Sequence, residues 1–184
     1  MLKGTYCGLR AIASSDLKQL LEWRNNPDFR KYFREHRELS HEQQLQWFNH
    51  TVQKDPKVKM FAIVDLESDA LIGACGLCYI DAQNRNADFS IYIGKNDEYI
   101  DNKFAPDVGR VLLKYGFQEL NLHRIWAEIY SIDQAKMNLF ESLGFRLEGE
   151  HKETHWTGGH WVDSLFYGIL AKEFNKTLLN GDAR

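Results

Sequence analysis

Apolar residues recur at helical spacing in two early stretches and at strand spacing through much of the rest of the chain. In SSDLKQLLEWRNN, Leu17, Leu20, Leu21 and Trp23 share one face. That period predicts a helix from Asp16 to about Asn25, capped by Ser14 or Ser15 and broken by Asn26-Pro27. A short segment, FRKYF (29–33), follows. Ser40 and Gln43 match a capping box, and Leu45, Trp47, Phe48 and Val52 continue at roughly helical spacing. Ahead of these helices, YCGLRAI (6–12) reads as a first strand.

After Asp55-Pro56 the period changes to that of strands. KMFAIVDL (59–66), ALIGACGLCYID (70–81) and ADFSIYIG (87–94) form a meander, joined by turns at Glu67-Ser68-Asp69 and at residues 83–86. A helix over 106–120, a strand over 124–131 and a helix over 133–144 come next, the last ended by Gly144 as a left-handed cap. Strands 145–156 and 160–171 close the pattern around Thr157-Gly158-Gly159. Strands in a meander, then strands alternating with helices, predict a mixed sheet with helices packed on it.

Composition narrows the class. The 184 residues are 43% hydrophobic and 27% charged, as in an ordinary globular domain, with a formal net charge of −3. That balance gives no global basic field for nucleic acid. No apolar run reaches the roughly 18 residues a membrane span needs, and MLKGTYCGLRAI is too polar for a signal peptide. Cys75 and Cys78 form a C-x-x-C, but a strand sends them to opposite faces, so they read as core thiols of a cytoplasmic protein rather than a metal half-site. His151, His155 and His160 cluster in the last hairpin. On one strand His151, Glu153 and His155 would share a face; the reading adopted is hairpin packing, with no metal.

The stretch DNKFAPDVGR (101–110) carries the first chemical hint. It links SIYIG (90–94) to VLLKYGFQEL (111–120), and a strand-to-helix turn is a natural anion site because the first helical N–H groups lack partners. Such turns are usually glycine-rich. This one has no glycine before Gly109 and carries Lys103 and Pro106, so it is either an unusual phosphate loop or only a loop.

Several segments, in order, resemble the GNAT N-acetyltransferases, in the branch with ribosomal-protein alanine, spermidine and sugar-nucleotide acetyltransferases. They are EWRNNPDFRKYF (22–33), LSHEQQLQWF (39–48), LIGACGLCYIDAQNRNADFSIYIG (71–94), LLKYGFQELNLHRI (112–125), LFESLGFRLEGEHKE (139–153) and GHWVDSLFYGIL (159–170). The resemblance spans about residues 8–173. It implies an α/β (α+β) GNAT fold: a mixed, mostly antiparallel sheet of about six to seven strands with helices on both faces. One domain would cover 1–174, with a tail at 175–184. It also implies acetyl transfer from acetyl-coenzyme A to a primary amine: a small amine, a nucleotide-linked amino sugar or a protein N-terminus. No nucleic acid or membrane partner is expected, and a homodimer through the late strands is compatible with the pattern.

The same resemblance assigns roles. The family's pyrophosphate loop, Arg/Gln-x-x-Gly-x-Gly/Ala, falls on 100–105, with Ile100 and Lys103 off-pattern and Ala105 on it. Lys103, Phe104 and Ala105 would face the cofactor, as would the backbone amides of Tyr92 and Ile93. Asp133 stands at an asparagine that often contacts the cofactor, and Phe140 at a tyrosine that protonates the thiolate. Asp88 aligns with an acidic general base; the plainer reading is a strand-edge carboxylate paired with Arg85. Ser131 would donate to the thiolate or be solvated. Glu128 would face the acceptor or form a surface ladder. Trp23, Arg24 and Tyr32 would line the acceptor pocket or belong to the core; aromatics plus arginine suit a planar or anionic acceptor. The off-pattern residues also leave a rival reading, a non-catalytic module with a degenerate coenzyme A loop.

Overall fold

A computed structural model describes residues 1–174; the tail expected over 175–184 lies outside the described residues. One sheet of eight strands organises the fold, in the order β1-β2-β3-β4-β5-β6-β8-β7. The strands are β1 (Leu2–Lys3), β2 (Cys7–Ala11), β3 (Lys59–Asp65), β4 (Leu71–Asp81), β5 (Asn86–Ile93), β6 (Arg124–Tyr130), β7 (Arg146–Thr157) and β8 (His160–Leu170). The helices are α1 (Leu17–Asn25), α2 (Pro27–Arg30), α3 (His41–Trp47), α4 (Phe104–Lys114) and α5 (Gln134–Ser142). Neighbouring strands are antiparallel except β5 and β6, which α4 joins in parallel.

The sheet has one strand more than the upper expectation. β1 pairs only Leu2 with Leu9 and Lys3 with Gly8, and two residues are too short to show a period. The α1 cap also differs. A 3-10 turn, Ser14–Asp16, precedes the helix, and the Asp16 carboxylate accepts the Ala13 N–H at 2.8 Å while holding Arg10. The Ser40–Gln43 capping box is formed. Gly144 has a φ of 89°, the left-handed stop expected after α5. α4 starts earlier than its pattern, at Phe104, and runs into a π turn at Tyr115–Glu119.

Both faces of the sheet are covered. Along β5, Phe89, Ile91 and Ile93 point into one core, where Val108, Leu112 and Leu113 of α4 and Leu139 and Phe140 of α5 pack. Tyr92 points the other way, into a second core with Leu17, Leu20 and Trp23 of α1 and Phe29 of α2. β6 alternates likewise: Ile125, Ala127 and Ile129 enter the first core. Asp88, Ser90 and Tyr92 therefore share the α1–α3 side with Trp126, Glu128 and Tyr130. No helix among the described residues is long and apolar enough to cross a membrane.

Candidate active site

β5 and β6 pair at only three positions, Asn86↔Arg124, Ala87↔Ile125 and Asp88↔Trp126. Beyond them the strands part, while β6 continues along β8 from Ala127↔Tyr167 to Tyr130↔Ser164. Backbone polar groups past Asp88 and Trp126 thus have no ladder partner across this gap, which leaves them for a ligand. On the α1–α3 side the gap opens into a cavity of about 840 Å³. Arg24, Arg34, Asp88, Tyr92, Glu128 and Lys136 are among its lining residues.

Arg34 organises the floor. Its Nη1 donates to Asp88 Oδ2 at 2.7 Å and its Nε to Glu128 Oε2 at 2.9 Å. Ser164 donates its hydroxyl to Glu128 Oε1 at 2.7 Å and meets Thr154 Oγ1 at 2.6 Å. Asp88 is 4% exposed. Burial pushes its carboxyl up from the ordinary value, and Arg34 opposes the rise without cancelling it. Burial also pushes the Lys136 ammonium down, against the pull of Asp133 and Asp88. The Cys78 thiol lines the cavity, and burial raises it to about 12, so it stays protonated and offers no thiolate nucleophile.

The loop between β5 and α4 is closed by its own side chain. Asp101 Oδ1 accepts the Ala105 N–H at 2.7 Å, and Oδ2 accepts the Phe104 N–H at 2.9 Å. The Lys103 N–H reaches Oδ2 at 3.4 Å. The donors that a pyrophosphate would take are therefore holding a carboxylate. Lys103 has a φ of −105°, so no glycine is needed there, and the strain expected from replacing a left-handed glycine does not arise. Its ammonium sits over the Phe104 ring at 4.7 Å and the Tyr6 ring at 5.1 Å.

The other expected residues divide between the cavity and the frame. Asp88, Glu128, Arg24 and Tyr32 meet at the cavity. Asp88 pairs with Arg34 rather than Arg85, which binds Asn121 through its guanidinium. The Arg24 guanidinium lies 4.2 Å over Phe33, and Tyr32 stacks on Tyr99 at 4.7 Å. Trp23 is a buried core residue against Gly94. The Ile93 N–H donates to Tyr99 O at 2.8 Å, and Tyr92 packs edge-on to Phe33. Asp133 caps α5, accepting the Lys136 N–H at 3.0 Å. Ser131 is exposed, its hydroxyl accepting the Asp163 N–H at 3.2 Å. Phe140 is wholly buried against Phe89 and Phe145.

His151, Glu153 and His155 do not share a regular strand face. The β7–β8 register shifts between His151 and His155, where Glu153 takes a φ of 52°. His155 stacks on Tyr130 at 3.8 Å and His151 lies against Phe166. Among the described residues no group of His, Cys, Asp and Glu could hold a metal ion. Sequence reasoning missed Arg34, Lys136 and the capping by Asp101. Only the last had a signal, an acidic residue just before a helix start.

The site thus combines a parallel strand pair that parts, a cavity on the α1–α3 side and a strand-to-helix turn after β5. A family model described as an acetyltransferase (GNAT) domain matches residues 7–146. The chain is 26% identical over 168 residues to an uncharacterized N-acetyltransferase, p20, of Bacillus licheniformis, covering 90% of this chain and 93% of that protein. It is 28% identical over 170 residues to the spermidine N(1)-acetyltransferase of Vibrio cholerae, covering 92% and 96%. A crystal structure of spermidine N-acetyltransferase from Vibrio cholerae with CoA and spermine matches with a TM-score of 0.85 at 27% identity, covering 93% of this chain and 99% of that one.

The chain belongs to the GNAT acetyltransferase family. It is an N-acetyltransferase whose acetyl donor is acetyl-coenzyme A and whose acceptor is an amine. The gap suits the donor's extended arm.

Proposed function

We propose that the acceptor amine enters the cavity beneath α1–α3 and reacts where β5 and β6 part, with Asp88 as the proton acceptor. The observation that carries this reading is the place of Asp88. It is the last residue of β5 paired with β6, buried at the junction of gap and cavity.

Acetyl-coenzyme A supplies the activated acetyl group when bound. The chain's residues prepare the amine. An amine must be neutral to attack, so its ammonium has to lose a proton. Burial makes Asp88 a better proton acceptor than a surface carboxylate. Arg34 holds Oδ2 of that carboxylate, and a carboxylate has lone pairs enough to accept from an ammonium as well. Glu128 shares Arg34 with Asp88 and accepts from the Ser164 hydroxyl, so this network fixes the Asp88 carboxylate in place. The Cys78 thiol stays protonated and offers no thiolate nucleophile, which supports direct attack by the amine.

The test is an amine panel assayed for acetylation by mass, with wild type and Asp88→Asn. The variant should lose about 10²-fold in kcat near neutral pH and recover part of it at alkaline pH, where the amine is already neutral. A variant with wild-type rate and pH profile would remove Asp88 from the mechanism.

A further inference from the structure

The charges around the cavity bear on which amine it accepts. Its four lining carboxylates are already engaged. Glu35 holds Arg37 at 2.6 Å, and Asp88 and Glu128 share Arg34. Asp55 accepts the Lys57 N–H at 2.8 Å. Three of the four thus lie against an arginine, which weakens their pull on a polyamine.

Two cations are in the opposite situation. Among the described residues, neither Arg24 nor Lys136 has a carboxylate at ion-pair distance, although both line the cavity. Arg24 has the face of Phe33 at 4.2 Å, and Lys136 has the face of Tyr99 at 5.1 Å. They come from opposite layers. Arg24 sits on α1 and Lys136 on the first turn of α5, so their side chains converge from the two sides of the sheet. Asp133 and Asp88 only partly offset the burial of Lys136, and Glu35 that of Arg24, so an anion between the two cations would add compensation to both.

We propose that the acceptor is an amine that also carries an anionic group, a phosphate or a carboxylate, held between Arg24 and Lys136 while its amino group lies toward Asp88. This rests on the acetyl-transfer reading of the same cavity. It sets the acceptor class apart from the polyamine in the names of the spermidine enzymes. Arg24 and Lys136 are specificity-determining residues in this account. Arg34 has the separate task of keeping Asp88 and Glu128 from presenting an open anionic site.

The experiment is a calorimetric titration of the full chain with phosphoethanolamine, β-alanine, ethanolamine and spermidine, followed by an acetyl-transfer assay of the same four amines. Phosphoethanolamine or β-alanine should bind at least about tenfold more tightly than ethanolamine and spermidine, and which of the two wins identifies the anion. Arg24→Gln and Lys136→Met should each erase most of that preference. Circular dichroism melts check that the variants fold, and Arg24→Lys, which keeps the charge, should restore part of the preference. Tightest binding by spermidine, equal binding of charged and neutral amines, or an unchanged preference in folded variants would overturn the proposal. Anion-selective binding with no acetyl transfer to any amine would instead count against the acetyl-transfer reading.

Discussion

Asp101 and Ala105 are joined by a short hydrogen bond, the Ala105 N–H donating to the Asp101 carboxylate at 2.7 Å at the start of α4. The same carboxylate holds the N–H of Phe104. A negative side chain thus occupies the helix end that the fold offers to the phosphates of its donor. A phosphate bound at this helix end would need these N–H groups to change partners.

Asp101→Asn should therefore tighten coenzyme A binding, by about fivefold, because a neutral amide competes less well for charged-acceptor hydrogen bonds. The same change should cost about 1 kcal/mol of stability through the weaker cap. Calorimetry and thermal melts read the two effects separately. Weaker binding in the variant would mean that Asp101 shapes the cradle rather than blocking it.

Arg34→Met should unfold more easily than wild type by about 2 kcal/mol, since it strands the buried Asp88 beside Glu128. The loss should be smaller than for a fully buried pair because the Arg34 side chain is 39% exposed. The variant cavity would present two uncompensated carboxylates. Spermidine affinity should rise in the same variant, which a direct titration measures.

Asp107 gives the fold a pH dependence. Its carboxylate accepts the N–H groups of Thr5, Tyr6 and Cys7 at 3.0, 2.8 and 3.0 Å, tying the β1–β2 turn to α4. Burial disfavours its charge, but these donors outweigh burial and hold its pKa below the usual 3.8. A depressed carboxylate stabilises the fold above its unfolded value, and that contribution is lost as pH falls through the lower folded value. Asp107→Asn should lower the urea midpoint at pH 7, by about 2 kcal/mol of stability, and lose less than wild type on acidification. Parallel acid-induced losses in the two proteins would show that Asp107 does not set this limb.

Gly94→Ala should destabilise by about 1–3 kcal/mol through overpacking. A Cβ there would lie 2.0 Å from Trp23 Cδ2, inside any tolerable contact, while the backbone φ of −126° suits any residue. The buried Trp23 ring has to move, which near-ultraviolet circular dichroism detects. An unchanged spectrum and unchanged stability would contradict the packing account.

The periodic parts of this structure were legible in the sequence. Alternation along β5 and β6 placed Asp88 and Glu128 on strands, and the box at Ser40 and the stop at Gly144 mark helix ends that the structure contains. Arg34 was not legible. It lies between α2 and α3 in a stretch without a period, and its contacts are to residues 54 and 94 positions away. Lys136 was hidden for another reason: its position in the first turn of α5 reads as solvent-facing, and only the parting of the strands gives its side chain a cavity to line. At the loop, Asp101 reads from sequence as a negative charge opposing Lys103; the reading did not extend to its carboxylate taking the Phe104 and Ala105 N–H groups. The shared face expected for His151 and His155 failed because a bulge shifts register without leaving a pattern of its own.

The three residue pairs that join β5 to β6 are also the seam between two halves of the sheet, β1 to β5 on one side and β6 with β8 and β7 on the other. A molecule lying in the gap would touch both halves at once and act as a splint. Its binding should then slow deuterium uptake well beyond its own contacts, along both strands of the seam together. The parting of β5 and β6 is thus also the joint at which a bound ligand would stiffen both halves of the sheet.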